Sequence, residues 1–208
     1  MSSGASRIDP TRTTTALLDG LHDPGNELVW SEFDRRYRPI IVGFARKLGL
    51  DDNDAADAAQ ETLAQFVKEY RDGRYDRNRG RLRTWLIAIL KTRIAAQRRK
   101  ASTRREYRGD SAVVDLEDDH QLTRIWTAER RHVLLQEALQ ELREKTQTTD
   151  RVIRAFELFV INQVPAAEVA AQLDMQAQDV YLAKSRVAQR LRDILRKLED
   201  AFEDEDAS

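Results

Sequence analysis

The chain has 208 residues, enough for one large domain or two small ones. Charged residues make up 34%, with eight glycines, four prolines and no cysteine, so disulfides and thiolate metal sites are excluded and a helical, heavily solvated protein is indicated. The net charge of −1 hides a strong asymmetry: residues 71–108 hold fourteen Lys/Arg against Asp72, Asp76 and Glu106, a net +11.

That block is flanked by acidic runs at 51–57, 115–119 and 199–206. A positive field confined to one place is either a solvated helical face or a site for a polyanion, and at this density a nucleic acid is the favoured partner. His22, His120 and His132 share no metal-ligand spacing. No apolar run approaches the about 18 residues of a membrane span. Residues 1–15 lack the apolar stretch of a secretory signal. The expectation is a cytoplasmic protein without membrane insertion, cofactor or metal.

In chain order, residues 1–26 form an N-terminal extension holding a short helix from about Thr15 to Leu21 and a DPGN turn. Residues 27–48 are amphipathic, with Leu28, Phe33, Tyr37, Ile40, Ile41 and Phe44 on one face and Pro39 placed to kink or split the helix. Gly49 closes it, and Asp51, Asp52 or Asn53 caps a third helix over 53–71, with Leu63, Phe66, Val67 and Tyr70 at i, i+3, i+4, i+7. RDGRYDRNRGR at 71–81 reads as a loop.

The next helix, 82–100, pairs an apolar stripe (Leu82, Trp85, Leu86, Ile89, Leu90) with Thr84, Lys91 and Arg98 on its other side. Trp85 reads as core, whereas Lys91, Arg98 and Arg99 are spaced to follow a phosphate backbone. Arg93 projects toward the apolar side without an evident partner. Upstream, Arg74, Arg77, Asn78, Arg79, Arg81 and Arg83 ring the loop, and with Tyr75 they could hold an unstacked base.

Periodicity is lost over 101–122, the expected linker; a structureless stretch of that length inside one compact domain would be unusual. A helix with Val133, Leu134, Ala138, Leu139 and Leu142 follows to about Glu144, then helices at 150–162, 165–173 and 177–199. The fold class is therefore all-α: two small helical domains, 27–100 and 123–198, joined by a flexible linker, with an acidic tail at 199–208 that is frayed or folded onto the basic block.

Within 164–192, Pro165 opens a short helix, and Leu173-Asp174-Met175 turns the chain with Asp174 where a positive φ is required. The last helix carries Val180, Ala183, Val187, Leu191, Ile194, Leu195 and Leu198 on one side. Gln178, Leu182, Ser185 and Gln189 lie opposite, flanked by Tyr181 and Arg186. This is either an ordinary helical hairpin or a helix-turn-helix whose second helix reads a DNA groove. On the third helix, Asp57, Gln60 and Glu61 either favour the helix N-terminus or meet a positive protein surface. With no nucleophile or histidine beside these carboxylates, an enzyme is not expected.

Several of these stretches resemble a known family. DAADAAQETLAQF at 54–66 looks like the region 2 signature of sigma factors, and GRLRTWLIAIL at 80–90 is similar to another of its segments. Residues 167–192 resemble region 4 through Glu168, Val169, Ala170, Leu173, Val180, Ser185, Arg186 and Arg190–Arg192. Two regions in this order with a linker fit the extracytoplasmic-function (ECF) subgroup of the sigma-70 family.

The resemblance implies that Asp57, Gln60 and Glu61 dock on the clamp of core RNA polymerase. It implies that the 74–83 loop and the basic helix bind the −10 promoter element. It also implies that Gln178, Tyr181, Leu182, Ser185 and Arg186 bind the −35 element, that region 4 meets the polymerase flap, and that an anti-sigma factor is a possible partner. Ile153, Phe156 and Val160 would serve the flap or pack in the core. Thr92 and Ala96 replace the Asn and Asp frequent in the family's basic helix, and Tyr181-Leu182-Ala183 replaces a Lys-Ser-Arg run. The alternatives are a helix-turn-helix regulator acting without polymerase, and a helical adaptor or anti-sigma-type protein.

Overall fold

The computed structural model describes residues 14–76, 80–104, 118–145 and 148–202, with the backbone alone at 98–104 and Lys145. The described residues form helices α1 (Thr14–Leu21), α2 (Glu27–Lys47), α3 (Asp52–Arg71), α4 (Leu82–Arg104), α5 (Asp119–Lys145), α6 (Asp150–Phe156), α7 (Ala166–Gln172) and α8 (Ala177–Asp200), and no strand. They divide into two compact units, one of Met1–Val133 with Ala201–Ser208 and one of Leu134–Asp200.

Helices α2, α3 and α4 make the body of the first unit, with α1 against α2. The Asn26 side chain accepts from Val29 N–H at 3.2 Å to start α2, and the Asp51 side chain accepts from Asp54 N–H at 2.9 Å to start α3. Between them Gly49 takes φ +93, a left-handed turn that glycine adopts without strain. Phe33, Tyr37, Ile40, Ile41 and Phe44 are fully buried, as their spacing requires. Leu28 departs from that pattern: it sits in the first turn of α2 and is 75% exposed. Pro39 does not split α2, which runs as one helix from Glu27 to Lys47. It lies on the exposed face, and the fully buried side opposite offsets one missing hydrogen bond.

On α3 the small Ala55, Ala58 and Ala59 are buried and let the helix approach its neighbours closely. Phe66 is the centre of an aromatic stack, with Phe33 at 5.4 Å and Tyr70 at 5.8 Å between ring centroids. On α4, Leu82, Leu86, Leu90 and Ile94 are buried.

Both ends of the stretch expected as a linker, 101–104 and 119–122, are helical. Residues 101–104 continue α4, and α5 begins at Asp119; 105–117 lie outside the described residues. The division between units falls inside α5 rather than at residue 123. Leu122 and Trp126 belong to the first unit, with the Trp126 ring edge-on to Phe44 at 6.0 Å. Gly43 permits this: a Cβ there would collide with the Glu129 carboxylate. The acidic tail, expected to be frayed or folded onto the basic block, starts instead with Ala201 and Phe202 each 1% exposed, the Arg36 guanidinium lying 5.0 Å from the Phe202 ring centre.

The second unit packs α6 and α7 on α8, with Ala155, Leu158, Val169, Ala170, Val180 and Ala183 as its centre. The expected single helix over 150–162 is instead α6 followed by a wider π turn over Glu157–Ile161. There the Asn162 N–H donates to the Glu157 carbonyl at 2.9 Å. The widening leaves Val160 and Ile161 exposed, while Ile153 and Phe156 stay in the core.

Between α7 and α8, Asp174 takes φ +50, and Met175 N–H donates back to the Ala170 carbonyl at 2.9 Å. A Cβ costs energy in this region, less for Asp than for most residues. Asp174→Ala should therefore destabilise the second unit by about 1 kcal/mol and Asp174→Gly should not, as read by chemical denaturation.

Candidate nucleic-acid and protein interfaces

The basic block is built on an aromatic clamp. Tyr75 is 9% exposed and packs edge-on to Phe66 at 5.7 Å and to Trp85 at 5.6 Å. Its hydroxyl donates to the Gly80 carbonyl at 3.2 Å. Tyr75 thus holds together the two ends of the segment that carries Arg77, Asn78 and Arg79, which themselves lie outside the described residues. The expectation that Tyr75 stacks on an unpaired base is corrected: its ring is committed to the protein core. Arg74 is exposed at the start of this segment, and Arg81 and Arg83 are half-exposed at its end.

Trp85 is anchored but only half-buried. Its Nε1–H donates to Glu69 Oε2 at 2.8 Å, and Gln65 donates to the other oxygen of that carboxylate at 2.7 Å. With Ala88, Ile89, Thr92 and Arg93, these side chains line an open groove of about 310 Å³. The reading of Trp85 as core therefore holds for one side of the ring only.

Lys91 lies at the edge of the basic helix and pairs with Asp119 Oδ1 at 3.0 Å, so its charge is already partly engaged. The side chains of Arg98 and Arg99 fall outside the described residues. Arg93, which had no sequence-level account, faces Glu61 at 3.4 Å across α3 and α4. Asp57, Gln60 and Glu61 are all exposed on α3, so the three form an accessible acidic and polar strip. By contrast, Arg38 on α2 is bound through two of its nitrogens to Asp34, at 2.6 to 3.0 Å. The hydrogen-bonded carboxylate raises its pKa above the ordinary arginine value, which marks an ion pair within one helix rather than a free cation.

On α8 the buried and exposed sides separate as their spacing predicts. Val180, Ala183, Val187, Leu191 and Leu198 are buried, and Ile194 and Leu195 partly so. Gln178, Tyr181, Leu182, Ser185 and Arg186 are all exposed, with Tyr181 at 57% and Leu182 at 42%. Sequence reasoning missed what supports Tyr181: Phe159 from the π turn meets its ring edge-on at 5.4 Å. Lys184 was also missed. It is exposed on the same helix, with its ammonium 5.6 Å from the Phe159 ring centre. Its i+3 spacing from Tyr181 was the available signal.

Among the described residues, no cluster of three or more His, Asp or Glu side chains could hold a metal ion. Nor, among them, is any helix long and apolar enough to cross a membrane.

The described residues are thus helical, with the candidate polar groups on exposed helix faces, and the basic charge of the sequence is gathered on one segment. Residues 33–104, from Phe33 in α2 to the end of α4, match the family model for Sigma-70 region 2. The match relates this segment, about a third of the chain, to region 2 of sigma-70 proteins. No curated protein matches the chain.

Proposed function

We propose that the protein is an ECF-type sigma factor. The region 2 match over 33–104 carries this reading, and the second unit supports it by offering a helix, a tight turn and a longer helix with an exposed polar face. Asp57, Gln60 and Glu61 dock on the polymerase clamp. The segment from Arg74 to Arg83, with Lys91, Arg98 and Arg99, engages the −10 element. Arginines there neutralise phosphates and stabilise the opened strand, so binding weakens steeply with salt.

Gln178, Tyr181, Leu182, Ser185 and Arg186 enter the major groove at −35, where the amide and guanidinium meet base edges and Leu182 meets a thymine methyl. Lys184 joins them as a phosphate contact. The exposed Val160 and Ile161 offer an apolar contact to the polymerase flap. An anti-sigma factor would act by covering one of these faces, and the site of action is the cytoplasm.

The test is affinity capture with core RNA polymerase followed by run-off transcription. The expected result is a stable complex that initiates at a defined promoter, with weak binding to the same duplex in the absence of polymerase. Tight binding to duplex DNA alone, with no capture of core, would favour a helix-turn-helix regulator acting independently.

A further inference from the structure

Among the described residues, the exposed large apolar side chains are Leu28, Val160, Ile161, Tyr181 and Leu182, and all but Leu28 lie in the second unit. Val160 and Ile161 are taken by the flap contact. Tyr181 and Leu182, neighbours in the first turns of α8, need a separate account. Apolar side chains left in water and rimmed by charge mark a contact surface. The rim here is cationic. Lys184 and Arg186 are exposed within the next turn. The acid of this stretch, Asp179, is committed to the start of the helix, where its carboxylate accepts from the Gln176 N–H at 3.3 Å.

The surface is braced from within its own unit. Phe159, in the π turn, packs against the core of the second unit and meets the Tyr181 ring edge-on at 5.4 Å. The Lys184 ammonium lies 5.6 Å from the centre of the same Phe159 ring. One anchored aromatic residue thus positions both the Tyr181 ring and the Lys184 charge, three residues apart on α8. Leu182 lies beside Tyr181, with Ser185 and Arg186 one turn further along the same side. Side chains held in place before binding lose little freedom when a partner arrives.

We infer that Leu182 and the ring edge of Tyr181 form an apolar reading surface that selects thymine by its C5 methyl group, with Lys184 and Arg186 holding α8 on the neighbouring phosphates. The inference rests on the proposed function, since it takes α8 as the DNA-reading helix, and it deepens that reading by naming the feature of the base that decides the choice. On the major-groove edges of the base pairs the thymine methyl is the apolar group; guanine, cytosine and adenine present donors and acceptors. Leu182 has neither donor nor acceptor, so it gains nothing from those polar edges and would strip them of water. A Lys-Ser-Arg run at 181–183 would instead donate to guanine and to phosphate. Tyr-Leu-Ala at these positions moves the preference from G·C to A·T pairs under the first turns of α8.

The test uses the full chain, with core RNA polymerase and alone at low salt, and a library of DNA duplexes with a randomised stretch. The complex with core should enrich duplexes holding A·T pairs at fixed positions, and the chain alone should show the same preference more weakly. Uracil pairs as thymine does and lacks only the methyl. Replacing dT by dU at an enriched position should weaken binding about 4-fold, the effect of one methyl group removed from water. Leu182→Ala should weaken binding to the dT duplex by a similar factor and shrink the dT–dU difference, and Leu182→Ala with Tyr181→Ala should erase it. Both side chains are exposed, so the variants should unfold at the wild-type denaturant midpoint. Lys184→Ala should weaken the dT and dU duplexes equally and lower the salt dependence of binding.

Equal binding of the dT and dU duplexes by the wild-type chain, or a difference that survives the double variant, would overturn the methyl reading. Enrichment of G·C pairs alone would do the same. Capture of core with no preferred duplex would also overturn it, and would assign Tyr181 and Leu182 to a protein contact. If core is not captured but the chain alone enriches a duplex, the sigma reading fails and the dT–dU comparison on that duplex still decides this one. No enriched duplex in either form would overturn both the methyl reading and the assignment of α8 to DNA.

Discussion

Glu61→Arg should weaken association with core RNA polymerase by about 100-fold, since like charges forced together in a protein interface cost several kcal/mol. Titration calorimetry or a competition assay with purified core would read it. The substitution also disturbs the protein itself, because Glu61 faces Arg93 at 3.4 Å. That pair is open to solvent, with side chains 56% and 36% exposed, and its own contribution to stability is small, about 0–1 kcal/mol. The double variant Glu61→Arg with Arg93→Glu separates the two effects. It re-creates the internal pair with reversed polarity and leaves the wrong charge on the exposed strip of α3. If it stays deficient, the strip is the docking surface. If it recovers full affinity, Glu61 acts only by holding Arg93, and the assignment of Asp57, Gln60 and Glu61 to the clamp contact fails.

The second large effect is expected at Phe66. Its ring stacks on Phe33 and Tyr70 and takes the edge of Tyr75, all within 5.8 Å. Phe66→Ala should cost about 3–5 kcal/mol, the usual range for emptying a well-packed aromatic site. Thermal and urea unfolding would measure it. The loss should also reach function, because Tyr75 is positioned by Phe66, Tyr70 and Trp85 and in turn holds the Gly80 end of the arginine-rich segment. At temperatures where the variant remains folded, promoter opening should therefore fall more than capture of core. Equal loss of both would mean that the aromatic clamp supports the fold without positioning the basic segment.

Helix position was legible because its causes are local. The apolar periods of α3 and α8 and the cap at Asp51 lie within a few residues of what they organise. So do the left-handed turns at Gly49 and Asp174. The polar strips on α3 and α8 were legible for the same reason, since a helix with one buried side must expose the other. Where local sequence is permissive the readings slipped. Leu28 follows the apolar period but falls in a first turn and stays exposed among the described residues, and the π turn at 157–161 arises in a segment whose composition suits an ordinary helix.

By itself, then, the sequence determined an all-helical chain, the gathering of positive charge at 71–108, and the order of two stretches that resemble sigma regions. The tertiary structure alone decided which partners the candidate groups have within the chain. Tyr75 is spent on the core, Lys91 is engaged by Asp119, Arg93 is matched to Glu61, and Phe202 is carried back to Arg36. Most of these partners are far apart along the chain, 28 residues for Lys91 with Asp119 and 165 for Arg36 with Ala201. A helical period reports only which side of a helix is buried. It carries no information about which distant residue will meet that side.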